Sequence, residues 1–394
     1  MQTLHQSPTD PDFVQNPYPF YTRARSHGPF FHWVDYGMVC TPSAAATNAI
    51  FRDRRFGREA PAELAPVIPE HLQPFYAVEA HSMLELEPPR HTRLRGLVLR
   101  AFTSRRIAAL GPEITQLSHD LIDAFPSGPF DLLAHFGQKL PVTIIARLLG
   151  VPEAMSDDLL KWSNAMVGMY MANRTPEAEQ RAVAATQSFV AFLRDYIDQR
   201  RQDPRDDLIT SLIAAEEAGE KLTTDELIST CILLLNAGHE ATVHTIGNGV
   251  KTLLETQTPL AALAPDAVEA TTEEILRFDP ALHMFTRWAY ETVDIMGHIF
   301  HRGDRVALLL GAANRDPEVW QNPDQFIPTR PIRPNATFGA GLHFCVGAPL
   351  ARLELQIALP ILFQRLPGLH ISTPPTYANV YHFHGLSQLM LDRA

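Results

Sequence analysis

Apolar residues recur at helical intervals over much of the chain. After Pro88-Pro89 they occupy positions 94, 97, 98 and 101, which is the spacing of one helix face. Residues 155–201 have the pattern of two amphipathic helices joined around 173–176. The segment 349–366 predicts another helix, which begins directly after a glycine-rich stretch.

The strongest helix signal lies in the second half of the chain. Thr223 and Glu226 form a capping-box sequence, in which the two side chains satisfy free backbone N–H groups at a helix start. No proline follows before Glu255, so we expect one helix of roughly 30 residues. A helix of that length is long for a globular protein and suits one that crosses a whole domain.

Short stretches of alternating apolar and polar residues predict small sheets. Residues 30–34 and 38–41 flank a turn at Asp35-Tyr36-Gly37 and predict a hairpin. Residues 292–300 and 305–310 alternate between turn signals and predict a small sheet. These patterns together predict a mainly α protein with small β-sheets.

Composition and charge narrow the class of protein. The chain has 394 residues, 45% of them apolar, with neither a repeat nor a Gly/Ser linker, so we expect one domain over 1–394. Its 33 basic and 44 acidic residues argue against general nucleic-acid binding. The three cysteines form no disulfide framework, which is typical of a reducing cytoplasm. The polar residues 1–12 give no signal-peptide pattern, and we expect no membrane span.

One cysteine lies in a restrictive context. Residues 338–347 read F-G-A-G-L-H-F-C-V-G, and Cys345 stands among the glycines just before a predicted helix. The positive end of a helix dipole favours a thiolate, and closely spaced glycines let the backbone approach a flat ligand. A thiolate placed in this way is what axial ligation of haem iron requires. The alternative is a tight turn with a buried structural cysteine.

The long predicted helix carries an unusual segment near its middle. Residues 236–242 read N-A-G-H-E-A-T and place Gly238 and Glu240 in an otherwise apolar helix. Glycine costs about 1 kcal/mol against alanine there, and a buried carboxylate needs a partner. Either two helices cross closely and Glu240 is satisfied locally, or the segment forms a groove for a diatomic ligand beside a proton-handling carboxylate.

Two pairs of polar residues share helix faces. His91 and Arg95 are four residues apart and either face solvent or donate together to one anionic carboxylate. Glu274 and Arg277 are three apart, and as an isolated surface pair they would stabilise the fold by under about 1 kcal/mol.

The order of residues at 338–348, F-G-A-G-L-H-F-C-V-G-A, resembles the haem-binding loop of the cytochrome P450 family. The resemblance implies that Cys345 is the axial ligand of the iron of haem b and that Phe338 packs near it. It also implies that His91, Arg95, His343 and Arg287 meet the haem propionates. The cofactor-binding residues implied are His91, Arg95, Arg287, Phe338, His343, Cys345 and Gly347.

The pair Glu274 and Arg277 resembles the E-x-x-R motif of the same family. In that family a later arginine completes the motif, and Arg330 occupies the matching position here. The resemblance implies a buried ionic cluster that holds the loop leading to Cys345. A buried cluster of this kind is strongly destabilised when one member is removed.

The segment A-G-H-E-A at 237–241 resembles the oxygen-binding stretch of the family, with one departure. The usual final threonine is Ala241, and Thr242 comes one residue late, about 100° around the helix. Thr245 lies one turn beyond Ala241 on the same face. The catalytic residues implied are Gly238, Glu240, Ala241 and Thr242, with protons supplied from Glu240 through water or from a substrate hydroxyl.

The resemblance implies a single large α-rich domain with haem between the long helix and the cysteine loop. It implies a monooxygenase that uses O₂ to hydroxylate or dealkylate a small-to-medium apolar substrate. Electrons would come from a separate ferredoxin and an NAD(P)H-linked ferredoxin reductase, and the protein would be a monomer. The pocket residues implied are Leu234, Ala237, Met284, Phe285 and Phe383. Arg100, Arg105, Arg106 and Arg352 are the candidates for ferredoxin docking.

Two alternatives keep the haem. A peroxide-driven peroxygenase would need no ferredoxin, and Ala241 is compatible with that activity. A haem-thiolate binding or sensing protein would show no turnover with any substrate.

Overall fold

The computed structural model describes residues 1–171, 174–217 and 219–393, with the side chains of 216 and 217 left aside. Residue 173, in the predicted junction 173–176, therefore lies outside the described residues. Helices dominate this part of the chain. They are α1 (Pro11–Gln15), α2 (Tyr18–Arg25), α3 (Ala44–Arg52), α4 (Gln73–Glu79), α5 (Arg90–Ala101), α6 (Ser104–Ala108), α7 (Gly111–Asp123), α8 (Lys139–Leu149), α9 (Ser156–Val167), α10 (Pro176–Gln202), α11 (Leu208–Ala214), α12 (Thr224–Glu255), α13 (Val268–Phe278), α14 (Leu310–Ala313) and α15 (Ala348–Arg365).

The strands are short. They are β1 (Gln2–Leu4), β2 (Phe31–Trp33), β3 (Met38–Thr41), β4 (Phe56–Gly57), β5 (Phe130–Asp131), β6 (Glu216–Glu217), β7 (Glu220–Lys221), β8 (Met284–Ala289), β9 (Val293–Ile295), β10 (His298–Phe300), β11 (Arg305–Leu309), β12 (His370–Ile371), β13 (Thr376–Tyr377), β14 (Leu386–Gln388) and β15 (Met390–Asp392). Six of them form one sheet in the order β1-β2-β3-β11-β8-β4. The mainly α fold class with small sheets is confirmed.

The long predicted helix is α12, which spans 32 residues. Both hydrogen bonds of the capping box at its start are present. The Glu226 N–H donates to the Thr223 hydroxyl oxygen, and the Thr223 N–H donates to the Glu226 carboxylate. Helices α8, α9, α10, α13 and α15 all pack against α12. It is therefore the axis around which the main buried core is assembled.

The glycine-rich stretch before α15 has the backbone that its sequence predicts. Gly339 and Gly341 have φ angles of 66° and 70°, a region that glycine enters without strain. A Cβ atom at Gly341 would also collide with the carbonyl oxygen of Phe51 on α3. Pro349 lies in the first turn of α15, where its missing N–H costs nothing.

The region around residue 285 differs from the sequence-based expectation. Residues 282–285 are expected to form a loop that faces a pocket, but Met284 and Phe285 begin strand β8. Because successive side chains of a strand point to opposite faces, the two residues have different surroundings. Met284 is buried among N-terminal aromatic residues, whereas Phe285 is half-buried and lies near Phe51. Met284 therefore packs against a different core cluster from Phe285, and its place in the pocket stays a prediction.

The predicted small sheet over 292–310 is also more extensive than expected. Strands β9 and β10 pair as a hairpin, but β11 joins the six-stranded sheet between β3 and β8. The parallel pairing of β11 with β3 joins segments far apart in sequence, which alternation within one segment cannot reveal. Within the described residues, the structure contains no helix that combines the length and apolarity needed to cross a bilayer.

Candidate active site

Cys345 lies in the loop between the turn at 341–343 and α15, and its side chain is free and exposed. Its backbone N–H donates to the carbonyl oxygen of Phe338 at 3.0 Å, which closes the loop. Although a small molecule can reach the sulfur, the protein that surrounds it removes most of the water near the thiol, and this desolvation raises its pKa. The N–H groups of Gly347 and Ala348 lower the pKa in part. Desolvation therefore outweighs the helix dipole, which alone would favour the thiolate. A bound metal ion would reverse this balance, because a coordinating thiol is deprotonated.

His91 of α5 and His343 of the cysteine loop lie together. Their ring centroids are 4.4 Å apart, and His343 Nε2 lies 2.9 Å from an oxygen of Glu87. Burial lowers the pKa of His91 to about 4, with further lowering by His343 and Arg95, so His91 is neutral near pH 7. Burial would raise the pKa of Glu87, but hydrogen bonds from His343 and the Arg58 backbone hold it below its usual value. The site therefore already stabilises one carboxylate.

Arg95 and Arg287 supply two further cationic groups. Arg95 is half-buried and donates to the carbonyl oxygen of Phe344 at 2.6 Å. Arg287 on β8 is 3% exposed, and its guanidinium donates to the carbonyl oxygen of Thr286 at 2.8 Å. Burial, with the neighbouring charge of Arg58, lowers the pKa of Arg287 to about 9, so the group stays charged at pH 7. A buried guanidinium without a carboxylate hydrogen bond among the described residues is a ready partner for an anion.

The middle of α12 is open on one side. Ala237 is exposed and Gly238, Glu240, Ala241 and His244 are half-buried, whereas the residues between and around them are buried. Positions 237, 241 and 244 follow the i, i+4, i+7 spacing of one helix face. We call this face the open stripe. Because helices pack around α12 on its other sides, an open stripe in its middle indicates an internal cavity.

Of the predicted pocket residues, Ala237 lies on the open stripe and Phe383 lies beside it. The Phe383 ring is 6.1 Å from the His244 ring, and its backbone forms a bridge to Leu282. Leu234, by contrast, is buried in the main core, since it is three residues from Ala237 on a neighbouring face. Leu233, which lies four residues before Ala237 and therefore on the same helix face, is half-buried.

Glu240 contacts two histidines of its own helix. His239 Nε2 lies 3.5 Å from one carboxylate oxygen, and His244 Nε2 lies 3.4 Å from the other. The two threonines that follow are engaged with the backbone. Thr242 donates its hydroxyl proton to the Gly238 carbonyl at 3.3 Å, and Thr245 donates to the Ala241 carbonyl at 2.7 Å.

A cluster of three charged residues lies away from the open stripe and consists of Glu274, Arg277 and Arg330. Arg277 donates to both carboxylate oxygens of Glu274 at 2.7 and 2.8 Å, and Arg330 Nε donates at 3.0 Å. The side chains of Glu274 and Arg277 are 1% exposed and that of Arg330 is 10% exposed. The Ile327 N–H also donates to Glu274, so the cluster ties α13 to the segment that leads to the cysteine loop.

These residues fit a haem group. The accessible thiol of Cys345 can serve as the axial ligand, and the open stripe of α12 leaves space for a ligand on the inner side of the helix. The buried Nδ1 atom of His91 has no hydrogen-bond partner among the described residues, and Arg287 has no carboxylate partner there. Two propionates would satisfy both of these groups.

Several neighbouring residues were missed by the sequence reasoning. Arg58 pairs with Glu85, and Tyr170 donates to Glu79 at 2.9 Å. These contacts join segments that are distant in sequence, so no local pattern reveals them. His244 could have been found, because it stands four residues after Glu240 on a predicted helix.

Comparison with protein families gives one result over most of the chain. The family model described as "Cytochrome P450" matches residues 67–264 and 266–373. The matched region includes α5, α12, α13 and the cysteine loop, so it contains every motif described above.

Individual relatives agree with that match. The "Biotin biosynthesis cytochrome P450" of Bacillus subtilis is 35% identical over 393 residues, or 98% of each chain. The "Cytochrome P450 monooxygenase PikC" of Streptomyces venezuelae is 36% identical over 380 residues, which cover 92% of this chain and 87% of PikC. The solved structure of P450BioI, in complex with an acyl carrier protein ligated to hexadec-9Z-enoic acid, superposes with a TM-score of 0.91 at 34% identity. That match covers 97% of this chain and 100% of P450BioI.

Proposed function

The chain belongs to the cytochrome P450 family, and from this premise we propose how its own residues serve a monooxygenase reaction. It is an oxidoreductase of the haem-thiolate class and binds haem b. We propose Cys345 as the axial ligand, with His91, Arg95, Arg287 and His343 around the propionates. The observation that carries this assignment is the exposed thiol of Cys345 in a loop bordered by these basic groups.

When bound, the haem supplies reductive activation of O₂, with the overall balance of substrate, O₂, two electrons and two protons giving oxidised substrate and water. The residues of the chain orient and protect this chemistry. Phe338 would pack near the cysteine. The guanidinium of Arg352 lies over the Phe338 ring, 4.6 Å from its centroid, and would hold the ring there. Residues 1–394 would act as a single domain.

The proposed substrate is a small-to-medium organic molecule with an apolar reacting part, which the enzyme hydroxylates or dealkylates. Apolar surface comes from Ala237 on the open stripe, Phe285 on β8 and Phe383 in the loop before β14. Arg58, which pairs with Glu85, lies 5.8 Å from the centroid of the Phe285 ring. Tyr170 donates to Glu79, and the charges of Arg58 and Glu85 both act on the pKa of Glu79. These polar groups favour a substrate that also has a hydrogen-bonding group.

Glu240 is the proposed source of protons. Ala241 has no hydroxyl, and the hydroxyl protons of Thr242 and Thr245 are donated to helix carbonyls. Glu240 is the carboxylate on this part of α12, and its side chain is 20% exposed, so water can reach it. Protons would pass from Glu240 through ordered water, or from a hydroxyl of the substrate itself.

Glu240→Ala is expected to lower coupled turnover by about 100-fold, because it removes a proton donor, while haem content stays unchanged. Ala241→Thr should have little effect on small substrates and should improve coupling for substrates that lack a hydroxyl. The measurement is product formed per NAD(P)H consumed for both variants, with the substrate-induced spin shift as a control for binding. Wild-type coupling in Glu240→Ala would show that protons do not pass through Glu240.

Ala241 also motivates a second candidate, a peroxygenase. In that reaction hydrogen peroxide supplies both oxygen and electrons, so neither Glu240 nor a ferredoxin would be needed. Product formation with peroxide alone, at a rate equal to that with redox partners, would favour it.

Separate redox partners are proposed as the electron source, most simply a ferredoxin and its reductase. An acidic ferredoxin would need a basic patch, since this chain is itself net acidic. Arg105 is exposed near the start of α6, whereas Arg106 donates to Asp206 and Ser211. Arg352 is held by Glu273, which leaves Arg105 as the more accessible of these candidates for docking.

Arg105→Glu is expected to slow reduction by a ferredoxin and to change the salt dependence of its rate, because a docking charge is reversed. Stopped-flow reduction at several ionic strengths measures both effects. Arg23→Glu on α2 is the matched control, since Arg23 is also exposed and lies on an N-terminal helix that packs against α14. Equal slowing in both variants would place the docking surface elsewhere.

A further inference from the structure

His244 lies beside Glu240, on the helix face on which Ala241 offers no hydroxyl. It lies on the open stripe of α12, three residues after Ala241 and four after Glu240. Its Nε2 atom is 3.4 Å from Glu240 Oε1, while His239 approaches the other oxygen. His239 is itself held by the Leu235 carbonyl at 2.8 Å and by Asn164 of α9 at 3.4 Å. Of the two histidines, only His244 is half-buried on the cavity side.

The orientation of the His244 ring is fixed from outside its helix. Gly385, in the loop before β14, approaches so closely that a Cβ atom there would collide with His244 Nδ1. Phe383 of the same loop lies beside the ring. This packing directs Nε2 towards Glu240 and leaves Nδ1 buried, with no hydrogen-bond partner among the described residues. A buried nitrogen without a partner costs about 1–3 kcal/mol, so a functional reason for the arrangement is expected.

The charge of Glu240 depends on these contacts. Burial alone would raise the pKa of its carboxyl group. The hydrogen bond and charge of His244, and to a smaller extent the charge of His239, outweigh burial and lower the pKa below its usual value. These two histidines are the titratable groups that act on Glu240 among the described residues, and Glu240 and His244 act on His239. His244 therefore has the largest share in keeping Glu240 ionised.

We propose that His244 is a positioning residue, which holds the Glu240 carboxylate towards the cavity by a hydrogen bond from Nε2–H to Oε1. Glu240 gives a proton to water in the cavity and is reprotonated from solvent water, while His244 keeps its own proton. Two such cycles supply the two protons that each turnover consumes, and no further oxidant or reductant is needed. The inference rests on the proposed role of Glu240. It assigns to an imidazole the task for which Ala241 has no hydroxyl.

The test compares His244→Asn with His244→Gln. Glutamine can place an N–H donor near Glu240, whereas asparagine is too short to reach it. His244→Asn should release about tenfold more peroxide per product with unchanged haem content, and His244→Gln should restore most of the coupling. His71→Asn is the matched control, because it removes a histidine 3.1 Å from Glu179 on the surface.

A second readout needs no turnover. In His244→Asn the pKa of Glu240 should rise, because burial is no longer offset, and infrared spectra of the resting protein should show a neutral carboxyl band that Glu240→Gln removes. Gly385→Ala should have the same effect by displacing the ring. Equal loss of coupling in His244→Gln and His244→Asn, or an unchanged Glu240 band in His244→Asn, would overturn the proposal. If Glu240→Ala is harmless while the band shifts as expected, the fault lies in the proposed role of Glu240 and not in the contact with His244.

Discussion

Cys345→Ala is expected to abolish the strongly red-shifted Soret band that a thiolate-ligated haem shows in the reduced, CO-bound state. The other two cysteines cannot replace the ligand. Cys40 on β3 and Cys231 on α12 are both buried, and burial raises the pKa of Cys231 to about 12. Only Cys345, among the three cysteines, is exposed in a loop that can approach a flat ligand.

The loss should reflect the missing ligand and not a damaged fold. Cys345 is exposed, and exposed substitutions usually change the free energy of unfolding by at most about 0.5 kcal/mol. Apoprotein of Cys345→Ala should therefore unfold at nearly the wild-type denaturant concentration. Cys40→Ala is the control and should keep the band. Retention of the band in Cys345→Ala would show that another group ligates the iron.

Local signals were sufficient for the framework of the fold. The start of α12 follows from Thr223 and Glu226, whose hydrogen bonds lie within one turn, and its length follows from the absence of proline. The hairpin of β2 and β3 follows from its central turn and alternation, and its register is antiparallel as predicted. Each of these elements is determined by residues that are close in sequence.

Features that depend on tertiary contacts were not predictable in the same way. The sequence could not show that β11 would pair with β3, because the partner strand lies in the first 41 residues. For the same reason the sequence could not show that Phe285 belongs to strand β8. Nor could it show that Met284, the preceding residue of that strand, packs into a different core cluster. The place of Leu234 in the pocket stays a prediction for a related reason, since the direction of the open stripe depends on which helices surround α12.

The candidate site was predictable in its residue types but not in its contacts. His343 was expected near a propionate, and the structure adds that Glu87 shares its hydrogen bond. The helix dipole suggested a low pKa for Cys345, but the burial that raises this pKa depends on the whole surrounding fold. The roles in haem binding that are assigned to the residues of this site stay predictions until the variants are measured.

The second large effect is expected from the cluster of Glu274, Arg277 and Arg330. Arg277 also donates to the carbonyl oxygens of Asn314, Pro323 and Gln325, so its guanidinium connects α13 to three points of the following segment. Removing one member leaves a buried charge without its partner, which costs about 3–5 kcal/mol. That is a large part of the 5–15 kcal/mol that is typical of a folded protein.

Glu274→Ala and Arg277→Ala should each lower the free energy of unfolding by about 3–5 kcal/mol and give little haem-loaded protein. Arg330→Ala should have a smaller effect, because the Arg330 side chain is 10% exposed and water can partly replace it. Arg277→Lys keeps the charge but cannot reproduce the two-pronged contact with Glu274, so it should resemble Arg277→Ala. Arg365→Ala, which breaks an exposed pair with Asp123, is the control and should cost under about 1 kcal/mol. Denaturant unfolding with haem content measures all five variants, and equal stability of Arg277→Ala and Arg365→Ala would show that the cluster does not hold this part of the fold.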